Sequence, residues 1–197
     1  MALNTKEILV PFADQATTGA ALSGDVITTI PEDFDAALTA IAGFEGTGYL
    51  GEDGIALSTS LSLTDFREMN RGVVRRGLDD FTGTVTYTEL QIMSYAVLCR
   101  KFGADNVDKK VATLQKGQQM HVAIGPELAP VQAFAWKLKD GDARAIVLIP
   151  RGQVTNGLDL TFAANSMASV PTEISAYDDG TGKNIHIYFD DGTVLSA

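Results

Sequence analysis

Residues 46–63 read GTGYLGEDGIALSTSLSL, and their reading decides the fold. Gly46, Gly48 and Gly51 satisfy G-x-G-x-x-G, the glycine pattern of dinucleotide-binding folds. That pattern binds a pyrophosphate only when a strand leads into the glycines and a helix begins at them. Here the order is reversed. The preceding PEDFDAALTAIAG (31–43) reads as a helix, with Pro31 suited to a first helical position and Glu32, Asp33 and Asp35 to a first turn. Phe34, Leu38 and Ile41 fall on one face of it. After the glycines, Ile55, Leu57, Leu61 and Leu63 alternate with Ala56, Ser58, Ser60 and Ser62, which is the period of a strand with one dry face and one small polar face. No helix starts there, and Glu52 and Asp53 would repel a phosphate. The stretch is therefore a glycine loop entering a strand.

The rest of the chain extends this β reading. Phe81, Val85 and Tyr87 alternate in FTGTVTYT (81–88), and alternation returns in QMHVAI (119–124), PVQAFAWKL (130–138), GLDLTFA (157–163), TEISAY (172–177) and NIHIYF (184–189). ARAIVLIP (143–150) is apolar enough to be covered on both faces. Asp-Gly turns at KDGD and DDGTGK mark hairpins. The strongest helix is expected over 89–102, with Thr88 and Gln91 as a capping box and Arg100 and Lys101 in its last turn. Residues 1–47 read as an N-terminal arm followed by the short helix, with TTGAALSG too small and polar to build much core. Residues 64–80 read as a long charged inter-strand loop. The expected class is mainly β (α+β), a β-sandwich or barrel in a single domain over 1–197 with one flanking helix.

The net charge of −10 is unevenly placed. Between Lys6 and Arg67 there is no Lys or Arg but there are ten acids, while the remaining 15 acids and 15 bases cancel. Such a field disfavours nucleic acid as a bound ligand. The 64–80 segment holds four of the seven arginines, Arg67, Arg71, Arg75 and Arg76, interleaved with Asp65, Glu68, Asp79 and Asp80. Mixed signs suit a protein contact better than a nucleic-acid patch. No apolar run reaches the roughly 18 residues of a membrane helix, and MALNTKEILV lacks the basic and apolar regions of a secretion signal.

Catalytic and metal patterns are not found. There is no G-x-S-x-G, P-loop, H-E-x-x-H or Cys-His zinc spacing, and the single cysteine, Cys99, allows no intrachain disulfide. His121 and His186 sit in strand patterns with no acid or nucleophile at a suggestive spacing. DDGTG (178–182) lacks the spacing of a calcium loop. No catalytic, cofactor or metal residue is expected.

Four phrases, in order, resemble the major tail tube proteins of long, flexible-tailed bacteriophages. They are GYLGEDGI (48–55), ELQIMSYAVLCRKFG (89–103), FAWKLKDGDARAIVLIPRGQVTN (134–156) with LDLTF after it, and SVPTEISAYDDGTGKNI (169–185). TGAALSGDVITTIPEDFDAAL (18–38) resembles the family's N-terminal arm. The resemblance implies a virion protein whose strands join those of its neighbours in hexameric rings. The rings stack into the conduit for the genome. Its partners would be further copies of itself, the tape measure protein, the tail terminator and distal tail proteins, with DNA passing unbound and no membrane contact. It would be found in the virion tail and, during assembly, in the host cytoplasm. On that footing Ser58, Ser60, Ser62, Glu52 and Asp53 are expected to face the lumen. Asp65, Arg67, Glu68, Arg71, Arg75 and Arg76, with residues 1–30, are expected to make inter-ring contacts. The competing expectation is another β-rich virion module, a head decoration or adhesion domain.

Overall fold

The structure is a computed structural model that describes residues 8–14, 19–70 and 72–193. Its strands are β1 (Phe12–Ala13), β2 (Ala21–Gly24), β3 (Glu45–Gly46), β4 (Leu50–Arg67), β5 (Val73–Glu89), β6 (Val107–Lys110), β7 (Gln119–Val122), β8 (Gln132–Asp140), β9 (Ala143–Val154), β10 (Val170–Ala176) and β11 (His186–Asp190). Two α-helices accompany them, α1 (Phe34–Ala40) and α2 (Tyr95–Phe102). Nine strands form one antiparallel sheet with the path β3-β2-β8-β9-β10-β5-β4; β1 joins it on β8 and β11 on β9. β6 and β7 make a separate pair.

The sheet carries apolar residues on both faces because β8 and β9 alternate between two clusters. Phe134, Trp136 and Ile149 turn to one face with Val85, Tyr87 and Ile174. Ala135, Ile146 and Leu148 turn to the other, where Ala37 of α1 and Ile41 just after it cover them. The expectation that 143–150 is covered on both sides holds for this reason.

The first face closes on itself. The rings of Tyr87 and Trp136 meet edge to face with centroids 5.7 Å apart. β9 and β10 lie between their strands. Three strand spacings in a flat sheet would be roughly 14 Å, so the sheet is strongly curled. The expected sandwich or barrel takes the form of this one curled sheet.

Several elements differ from the sequence reading. Residues 64–80 are not a loop. They are the distal half of a continuous β4–β5 hairpin whose register runs from Leu50↔Glu89 to Arg67↔Val73. The turn is only the segment after Arg67, closed by Glu68 N–H donating to the Gly72 carbonyl. Cross-strand pairing outweighs the high charge, because charged side chains on an exposed ribbon stay in water. Residues 19–24 are not an arm either. Ala20, Ala21 and Leu22 are buried, and Ala21 pairs with Trp136; small side chains are what let β2 lie against so large a ring. The helix expected over 89–102 begins at Tyr95, with Ser94 rather than Thr88 as its N-cap. Glu89 is held in the sheet between Leu50 and Val170, so no capping box forms. In α1 the cap is Asp33, which accepts from Ala36 N–H at 2.8 Å; Pro31 precedes the helix, and its carbonyl accepts from the Tyr188 hydroxyl at 2.9 Å. Residues 157–163 alternate in sequence but form no strand.

Candidate functional site

The long hairpin has two chemically distinct faces. Register places Ala56, Ser58, Ser60 and Ser62 beside Thr86, Thr84, Thr82 and Asp80. These four rungs carry six hydroxyl side chains, one alanine and one carboxylate, and no cation. The opposite face pairs Ile55 with Tyr87, Leu57 with Val85, Leu61 with Phe81 and Leu63 with Leu78. Near the sheet body this face joins the core, since Val85 and Tyr87 are buried. Further out nothing among the described residues covers it. Leu61 and Leu78 are each 61% exposed and Leu63 51%. β4 is also the last strand of the sheet path, so among the described residues nothing pairs its outer backbone edge. The hairpin thus presents an open edge, an uncovered leucine face and a hydroxyl face.

The expected lumen residues fall on this hairpin in two places. Ser58, Ser60 and Ser62 share the hydroxyl face. Glu52 and Asp53 lie exposed at its base, where the register shifts between Leu50 and Ile55. Of the glycines there, Gly48 and Gly54 have φ values of +81° and +69°, the left-handed region that glycine tolerates. A Cβ at Gly48 would also displace the end of the Gln91 side chain.

The expected contact residues gather at the distal end. Arg76 donates to Asp65 at 2.7 Å, and Arg67 lies 3.9 Å from the same carboxylate. These are exposed pairs, each worth well under about 1 kcal/mol. Asp79 sits where β5 carries an extra residue, between the pairs Ser62↔Asp80 and Leu63↔Leu78, and accepts the Thr64 hydroxyl. Glu68 is at the turn and Arg75 pairs with Phe66. Arg71 lies outside the described residues, as do residues 1–7 and 15–18 of the expected arm.

The hairpin base is held by a buried polar cluster that the sequence reading missed. Arg100 Nη1 donates to Glu89 Oε1 at 2.8 Å and to the Tyr87 hydroxyl at 3.3 Å; its Nε donates to Ser23 Oγ at 2.9 Å. Glu89 also accepts from the Tyr87 and Thr172 hydroxyls. The Arg100 and Glu89 side chains are 2% and 1% exposed. Burial pushes the Glu89 carboxyl above its usual range, opposed first by Arg100. Burial likewise raises the Tyr87 phenol, with the Glu89 charge adding to it. The cluster ties α2, β2, β5 and β10 together at one point. A signal existed in the sequence: Arg100 and Lys101 fall at i+3 and i+4 from Val97, on the helix face that is buried. His186 also has a partner the sequence reading did not find. Its Nε2 lies 2.8 Å from Asp179 Oδ2 across the DDGTGK turn.

Among the described residues no group of three or more His, Cys, Asp or Glu could hold a metal ion, and no helix is long and apolar enough to cross a membrane. What stands out is surface left incomplete by one copy of the chain. A sequence model of the phage tail tube protein family matches residues 1–194. The chain belongs to that family. No curated protein sequence matches it. Among solved structures it is similar to a chain from the virion of a native gene transfer agent particle. The two share 13% identity over 76% of this chain and 90% of that one, with a TM-score of 0.41. The phage tail tube family places this protein in the virion tail, in a structural role.

Proposed function

We propose that copies of this chain close into hexameric rings, that the rings stack into a tube, and that the tube conducts phage DNA without holding it. The observation that carries this reading is the two-faced β4–β5 hairpin. Ring closure would cover the leucine face and pair the free β4 edge, removing both the exposed apolar area and the aggregation hazard of the edge. The hydroxyl face would then line the channel with Ser58, Ser60 and Ser62, and Glu52 and Asp53 would add negative charge at its base. DNA carries about one negative charge per 1.7 Å of axis, and the four rungs from Ala56–Thr86 to Ser62–Asp80 carry no cation with which to retain it. Asp65, Arg67, Glu68, Arg71, Arg75 and Arg76 would meet the next ring. The tube ends would meet the tape measure protein, the tail terminator and distal tail proteins. No catalytic step enters this account.

Electron microscopy of concentrated purified protein tests it. The expected result is tubes of uniform bore with sixfold symmetry. Stable monomers or trimers would instead point to a head decoration or adhesion module.

A further inference from the structure

The hairpin carries a second asymmetry, along its length and on its hydroxyl face. At the distal end Arg75 and Phe66 form a cross-strand pair. Phe66 is 55% exposed and its ring lies over Gly77, where a Cβ would come within 3.2 Å of it. Asp65 is already engaged by Arg76 and Arg67, and Asp79 by the Thr64 hydroxyl. Among the described residues no carboxylate lies within ion-pair distance of Arg75. At the proximal end of the same face is a cleft of about 290 Å³ between the hairpin base and β10. Ala56, Thr86 and Thr88 contribute to its lining, and Asp53 and Glu173 also border it. Glu173 shares this face because it pairs with Thr86. The cleft thus offers two carboxylates and no cation, and Asp53 belongs to the part of the chain that carries the excess acid.

We propose that the Arg75–Phe66 tip of one copy docks into the Asp53–Glu173 cleft of a second copy displaced along the hairpin axis. The inference rests on the tube reading above and names the surface that receives the tip. Four observations converge on it. The charges are complementary. Both partners lie on one face of one ribbon, so when the tip of one copy lies alongside the hairpin base of the next the hydroxyl face runs on across the junction. The contact is heterologous, so it propagates rather than closing on itself. A chain also cannot satisfy it internally. Arg75 and Thr88 are 13 positions apart on β5 (88 − 75), which at about 3.3 Å each is roughly 43 Å. The same distance sets an upper bound on the axial repeat of the stack, since twist and tilt shorten its projection.

Charge reversal tests the contact. Arg75→Glu and Asp53→Arg each place like charges in the junction. Each is expected to lower sedimentable tubes at least tenfold while the monomer's thermal midpoint stays unchanged, because both side chains are exposed. Combining Arg75→Glu with Asp53→Arg in one chain restores opposite charges and is expected to restore tubes. Normal tube yield from either single variant, or no recovery in the combined variant, overturns the docking inference while leaving the tube reading standing. Absence of tubes from the unaltered protein overturns both.

Discussion

Replacing Arg100 by Met keeps most of the side-chain volume and removes the charge opposite Glu89. Both side chains are almost fully buried, with Nη1 2.8 Å from Oε1. Breaking a buried pair by removing one partner costs about 3–5 kcal/mol, because the remaining charge stays desolvated. For a chain of this length 1 kcal/mol moves the melting midpoint by roughly 2–4 °C, so the expected fall is roughly 6–20 °C near pH 7. The pH dependence supplies the sharper test. Burial already raises the Glu89 carboxyl above its usual 4.5, and the Arg100 charge is the strongest influence opposing that rise. Without Arg100 the folded-state value rises further. A carboxyl raised in the folded state costs nothing below its unfolded value and costs progressively more as pH climbs from there to the folded value. The gap between variant and parent therefore narrows as pH falls from 7.5 to 5. Arg100→Met combined with Glu89→Leu removes the lone charge but orphans the Tyr87, Ser23 and Thr172 hydroxyls, at about 1–3 kcal/mol for each that stays dry, so the double variant is expected to stay destabilised but to lose the pH dependence of the gap. Thermal melts followed by circular dichroism measure all of this. A gap below about 2 °C at pH 7.5, or an equal gap at pH 5, would refute the reasoning, since even 1 kcal/mol should move the midpoint by roughly 2–4 °C.

Three further outcomes are expected. Leu61→Asp should leave the monomer's stability within about 0.5 kcal/mol, as for other exposed positions, yet abolish tubes in electron micrographs; tubes of normal yield would remove the leucine face from the assembly. Gly83→Val should lower denaturant stability by about 1–3 kcal/mol through overpacking, because a Cβ at Gly83 already lies 2.7 Å from Ile185 Cδ1; unchanged stability would mean that Ile185 moves aside freely. Burial opposes ionisation of Asp179, but hydrogen bonds from Thr181, His186 and the Lys183 N–H outweigh it and hold the carboxyl at about 2. A depressed carboxyl stabilises above its unfolded value near 3.8 and loses that contribution as pH falls toward 2. Asp179→Asn should therefore be less stable than the parent at neutral pH and converge with it in acid melts; a constant difference down to pH 2 would contradict the assignment.

Much of this protein was legible in its sequence because strand periodicity is a local property. Alternation located the cores of β4, β5, β8, β10 and β11, the apolar run 143–150 located β9, and the Asp-Gly turn marked the β8–β9 hairpin, where Gly141 adopts φ +60°; DDGTGK marked no hairpin, since β10 and β11 both pair with β9 instead of with each other. The leucine and serine rows of 55–63 were visible as two faces. The order of helix, glycines and strand was enough by itself to rule out a nucleotide loop. The concentration of negative charge in the first third was likewise a property of the sequence.

Tertiary structure alone decided three things. Whether 64–80 was loop or strand depended on register between the two arms of the hairpin, which charge composition does not encode. The role of Arg100 depended on the burial of Glu89, eleven residues earlier and on a different element. Most important for function, alternation says that a strand has a dry face but not whether the same chain covers it. Val85 and Tyr87 on that face are covered; Leu61, Leu63 and Leu78 are not. That difference follows from where the curled sheet ends and the hairpin continues beyond it, and it turns a strand pattern into a surface for assembly.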